Sequence, residues 1–209
     1  MDLDTLFDQS HALAGNVIQL VARPIYDERE RFRVSNLSCS LAFEHGEGAK
    51  LALACGLLPS AAMLHRAQFE AVLRAVWVLY AASDEQVGKL GADLTAGSEQ
   101  AAKHLPTTAK MMDALVGKAP PEPLETLVEF KAYNWQALNS YAHAGIHAIS
   151  SHRSGLSSEL LFNVLLNING LLVFTAMQAA ILTGVPNLQR LVLQTAAQYP
   201  QLLSAKPST

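Results

Sequence analysis

Charge is scarce in this chain. Fifteen basic and eighteen acidic residues among 209 leave a net charge of −3, so no basic field draws the protein onto nucleic acid or anionic lipid. Half the residues are hydrophobic, which argues against disorder and for a well-buried core of ordinary single-domain size. Cysteine is rare too: Cys39 and Cys55 lie without metal-ligand spacing and read as reduced thiols of a cytosolic protein. No run of alternating β-branched residues bounded by turns occurs, so strands are not expected. A Gly-x-Gly-x-x-Gly turn, a Gly-Lys-Ser/Thr phosphate loop and a Gly-x-Ser-x-Gly elbow are all missing, which sets aside the enzyme classes built on them. The start, Met1-Asp-Leu-Asp-Thr-Leu-Phe-Asp8, is acidic where an export signal is basic, and a cytoplasmic location is expected.

What remains is helical periodicity. Apolar positions at three-and-four spacing predict a helix over residues 3–22. Seven charges of both signs crowd Arg23 to Arg33, where Asp27 and Arg31, four apart, would pair on a helix surface. Residues 40–57 predict a helix or helical pair weakened by Gly46, Gly48 and Gly56. The clearest helix runs from Ser60 to Ala82. Short helices and loops are expected over 84–122, with Thr107 or Thr108 capping a segment that ends near Gly117. Ala119-Pro-Pro-Glu-Pro123 breaks the chain before a helix from Leu124 to Tyr141. A serine- and histidine-rich loop through Ser158 follows, then helices at Glu159–Leu182 and Asn187–Gln198. Six to eight helices in one all-α bundle over residues 1–209 is the expected architecture.

Leu160–Leu182 carries no charge and is long enough to cross a bilayer. Asn163, Asn167 and Gln178 fall within roughly 60° of one another on its wheel beside Gly170, and such amides are costly in lipid. A buried central helix is therefore expected, with no membrane partner, its amides facing the core, a polar pocket or a second subunit. From Ser157 to Pro200 only Glu159 and Arg190 are charged, which points to a homodimer interface.

Two clusters carry chemistry. On the Ser60–Ala82 helix, Met63, Arg66, Glu70, Leu73, Arg74 and Trp77 share one stripe between two packing faces. It reads either as a surface ion-pair ladder, Arg66–Glu70 and Glu70–Arg74, or as the lining of a cleft. The second cluster is Asn139, Tyr141, His143, His147 and His152. Asn139 and His143 share a helix face, and Gly145 is expected to turn the chain so that His147 lies beyond. No cysteine or carboxylate lies within this cluster, so no metal is expected, nor any other cofactor. Its histidines read as helix-end caps, as acid–base groups or as ligand contacts.

A helix ending in Asn139-x-x-x-His143 after an all-α start resembles the signature of HEPN domains (higher eukaryotes and prokaryotes nucleotide-binding), over about residues 40–185. Arg66-x-x-x-Glu70 and Tyr141-x-His143 also resemble bacterial helical families known mainly as domains of unknown function. The HEPN resemblance implies a four-helix unit that is often a dimeric, metal-independent ribonuclease carrying Arg-polar-x-x-x-His. Here Asn139 matches the polar position and His143 the histidine, but Leu138 stands where the arginine would be. The resemblance accordingly implies a non-catalytic binding or regulatory module, in bacterial defence, a toxin–antitoxin pair or immunity, with a protein or RNA partner. The alternative is a ribonuclease with His143 as base and Arg66 as substitute cation. A third reading is a small-molecule or nucleotide site using Arg66, Glu70, Arg74, Trp77, Asn139, Tyr141 and the histidines.

Overall fold

The computed structural model describes residues 3–155 and 157–203. They form ten α-helices and one 3-10 turn: α1 (Leu3–Val21), α2 (Glu30–Ala54), α3 (Leu58–Tyr80), α4 (Asp84–Gly91), α5 (Ala96–Ala102), α6 (Thr108–Leu115), α7 (Pro121–Ala142), α8 (Ile146–Ser154), α9 (Ser158–Thr183) and α10 (Leu188–Ala196), with the 3-10 turn at Pro200–Leu202. No strand occurs among the described residues. The fold is all-α as expected, but ten helices exceed the six to eight anticipated. The excess comes from residues 84–122, which hold three short helices, and from α8, which replaces the loop expected through Ser158.

The scaffold is an antiparallel hairpin of α2 and α3. One face of α2 presents Ser35, Cys39, Ala42, Gly46 and Ala49 at three-and-four spacing, all buried, and such small residues allow close helix approach. A Cβ at Gly46 would stand 2.7 Å from Gln68 Nε2, so a side chain there would push that amide off the Ile168 carbonyl. The Ser35 hydroxyl donates to the Ala75 carbonyl at 2.8 Å, tying the two rods together. Burial pushes the Cys39 thiol up to about 12, which leaves it an inert packing group, whereas Cys55 is exposed.

The charged stretch departs from expectation. Helix α2 begins only at Glu30, so Asp27 lies in the connection and cannot reach Arg31 by helical spacing. Asp27 instead binds Arg29, and Arg31 reaches across to the Val78 carbonyl (2.5 Å) and to Asp84 (2.7 Å).

Helix α3 is covered on nearly every side. Ala61 and Ala75 join a core built with α1, α2, α9 and α10, while Phe69, Val72, Leu73, Val76 and Trp77 join a second core with α6 and α7. Helix α9 is long and apolar enough to cross a membrane by length and composition. Here, from Leu165 onward, it packs largely inside the protein, with Asn169 bonded to Ser10 and Leu202 and with Gln178 near the Ser35 hydroxyl at 3.5 Å. The amide stripe divides: Gln178 is buried, Asn163 is exposed, and Asn167 caps the Asn163 carbonyl. Gly184, left-handed at φ +65, ends α9 against Tyr26.

Candidate functional site

The sequence-marked stripe on α3 splits in the folded chain. Leu73 and Trp77 are buried at 0% and 1% exposure, because α6 and α7 close over that side of the helix. Arg66 and Glu70 stay at the rim and pair at 3.0 Å, as the ladder reading expects. Arg74, half-buried, has no ion-pair partner among the described residues, so the second rung is not formed. The Arg66 guanidinium lies over the Trp135 ring of α7 at 4.9 Å, a cation–π contact. Below it Phe69 stacks on Phe130 at 4.6 Å and tilts against Trp135 at 5.8 Å. An aromatic layer thus fixes the α3–α7 crossing, and Arg66 is its polar lid.

The end of α7 is built differently. Leu138, at the position of the motif arginine, is 6% exposed and belongs to the core. Asn139 is half-buried on the adjoining face, and Tyr141 packs between the two cores. His143 caps the helix C-terminus through its backbone, and its side chain is exposed. Ala144 adopts φ +50, and a Cβ on Gly145 would meet Ser140 Oγ at 2.6 Å, so the chain turns there as the glycine suggests. The Ser140 hydroxyl then accepts from the His147 N–H at 3.0 Å and starts α8. The exposed His147 ring lies 6.3 Å from Tyr141, and His152 is exposed at the far end of α8.

The two clusters sit at different points along α7, Arg66 against Trp135 and His143 at the helix end. Trp135, beside Arg66, precedes His143 by eight residues, about 12 Å of helical rise. Among the described residues no hydrogen bond or ion pair joins Arg66 or Glu70 to Asn139, Tyr141, His143 or His147. Trp77 lies deeper and further along α3, under α6.

Two further features lie outside the marked clusters, although Gln178 and Gly170 of the first belong to the amide stripe of α9. An open trough of about 700 Å³ runs between the start of α7, the middle of α9 and α10. Phe174, Met177, Ile181 and Leu193 give it an apolar floor, and Tyr80, Glu122, Gln178 and Gln189 supply polar groups, a balance typical of binding clefts. Its α9 positions are the two-sided apolar run that already looked too uncharged for one surface.

The second feature is a buried polar seam joining α1, α2, α3 and α9. Lys50, at 0% exposure, faces Glu47 Oε1 at 2.5 Å and donates to the Ser10 carbonyl at 3.2 Å. Glu47 Oε2 meets His11 Nδ1 at 3.1 Å. Glu47 Oε1 and the ammonium form a close, largely buried ion pair. Nearby, His65 Nδ1 is 2.9 Å from Gln68 Oε1, and Gln68 Nε2 donates to the Ile168 carbonyl. His65 Nε2 is buried without a partner among the described residues, and burial pushes the ring down to about 4 despite Gln68. A lone lysine inside the alanine- and leucine-rich run Ala49–Leu53 was the available signal.

Residues 39–205 match the model of a family described as a family of unknown function (DUF6988), and the chain belongs to that family. The match begins within α2 and runs through α10, taking in the α3–α7 layer, the α7 terminus and the trough. No curated protein and no solved structure matches the chain.

Proposed function

We propose that the chain is a non-catalytic binding module of HEPN-like build that works as a homodimer. The supporting observation is the fate of the two positions that could supply a cation. Leu138 occupies the motif's arginine position and points into the core, while Arg66 is held by Glu70 and Trp135. Cleaving RNA through a 2′-hydroxyl needs a base and also a cation placed where charge develops on the phosphorane. His143 has the exposure of a base, but the motif position that would supply its cation is the buried Leu138. The purified protein, incubated in EDTA with end-labelled RNA, is expected to leave the RNA intact, and Arg66→Ala and His143→Ala should behave identically. Fragments that vanish in both variants would instead establish the metal-independent ribonuclease reading.

The dimer reading rests on α9 and α10. Their segment carries only Glu159 and Arg190 as charges, and it leaves Val185, Leu191 and Leu193 exposed near the trough. The occupant that suits such a surface is a second copy presenting the same apolar strip. Leu193→Glu is expected to weaken association by about 2 kcal/mol or more, as removal of a central apolar anchor does. Sedimentation should then fall from twice the 22.5 kDa chain mass toward one. A wild-type protein that sediments as a monomer at all concentrations removes the dimer from this account.

A further inference from the structure

The C-terminal turn of α3, the start of α4 and the flank of α6 enclose an open basin of about 780 Å³. Three cations line it, Arg31 from α2, Lys110 from α6 and Lys118 just beyond α6, and no carboxylate is among its lining residues. In a chain of net charge −3 this is a local reversal of sign. Arg31 is anchored on one side by the Val78 carbonyl and by Asp84, which fixes the guanidinium while leaving some of its five N–H donors unused. Asp84 offsets the Arg31 charge in part. Lys110 and Lys118 are exposed and have no ion-pair partner among the described residues, so the free charge of the basin is theirs. Tyr80, Ser83 and Gln86 add neutral polar groups at the wall. Trp77 contributes to the lining although it is 1% exposed, and its indole N–H has no acceptor among the described residues.

We propose that this basin binds a small anion carrying two linked phosphate groups. Fixed and mobile cations around one concavity suit a ligand with several anionic oxygens. A single carboxylate would leave one lysine unengaged. Lys110 stands in α6, Lys118 just past its end, and Arg31 comes from α2, so two separate elements bring the charges to one basin. The site is separate from the α7 histidines, it shares Tyr80 with the trough beside α9 and α10, and it rests on neither the dimer nor the RNA result.

Titration calorimetry of the full chain with inorganic pyrophosphate tests the assignment. Saturable binding at one site per chain is expected, weakening as salt is added. Lys110→Ala/Lys118→Ala should reduce affinity by at least about tenfold with an unchanged melting temperature, since both side chains are exposed. Lys131→Ala, outside the basin, should bind as wild type does. Arg31→Lys should weaken binding as well, because its fixed fork is lost while its charge stays. Absence of binding at millimolar pyrophosphate, or equal affinity in the double-lysine variant, overturns the proposal.

Discussion

Glu47→Leu is expected to destabilise the protein by roughly 3 kcal/mol, while Lys50→Met changes stability by less than about 1 kcal/mol. The two residues form one ion pair, yet their surroundings differ. The Lys50 side chain is wholly buried, and burial pulls its pKa down against the pull of Glu47 in the opposite direction. Without Glu47 the ammonium remains inside with, among the described residues, only the Ser10 carbonyl at 3.2 Å. The Glu47 side chain keeps about a third of its surface in contact with solvent and has His11 as a second partner. Removing Lys50 leaves Glu47 Oε1 buried, but Oε2 keeps His11 and part of the side chain stays in water, so the carboxylate loses less than the ammonium would, and the flexible Met fills the vacated volume. The solvent access of Glu47 is why the lower end of the range for broken buried pairs is expected. Urea unfolding of both variants and of the double variant measures the asymmetry. Equal losses in the two single variants would show that Lys50 is not held as described.

The second large effect is a pH dependence set by His65. Its folded pKa, about 4, lies below the ordinary 6.5 because the ring is buried, with Nε2 unpaired and Phe130 edge-on at 5.3 Å. Between those two values the unfolded chain binds a proton that the folded chain refuses, so stability rises with pH across that window. Lowering the pH from 6.5 to 4 should remove roughly 3 kcal/mol through this one group, and its effect is flat above 6.5. His65→Leu is costly at pH 7, because Gln68 Oε1 loses its partner, but its curve should be shallower. The gap between wild type and variant should thus narrow as the solution is acidified. A gap that stays constant from pH 7 to 4 would mean that His65 titrates normally in the fold.

Much of the architecture is legible in the sequence. Periodicity places α1, α3, α7 and α9 within a few residues, because each has a sustained apolar face. Thr107 caps α6 as its hydroxyl predicts, accepting from the Lys110 N–H. The first half of α2 is not legible: its opening turns are charged, and its packing face is made of serine, cysteine, alanine and glycine, which resemble a loop. That face makes sense only against α3, where Gly46 yields to Gln68. Helix α8 is short and has no buried residue, so it has no periodic signal to offer.

The candidate site is legible only within single helices. Arg66–Glu70 follows from four-residue spacing, and it forms. The Trp135 ring over which Arg66 lies belongs to another helix, and no pattern along α3 announces it. Wheel angle gives Trp77 the same direction as Arg66, but α6 covers only the C-terminal part of that stripe, so one residue is rim and the other is core. Direction on a helix is written locally, whereas cover is decided by its neighbours.

The non-catalytic reading depends on Arg66 being engaged by the fold, and a double-mutant cycle between Arg66→Ala and Trp135→Leu measures that engagement. The contact at 4.9 Å predicts a coupling of about 0.5–2 kcal/mol in unfolding free energy. Strictly additive losses would mean that the guanidinium is free of Trp135, and a cation at liberty near the α7 face would contradict the account.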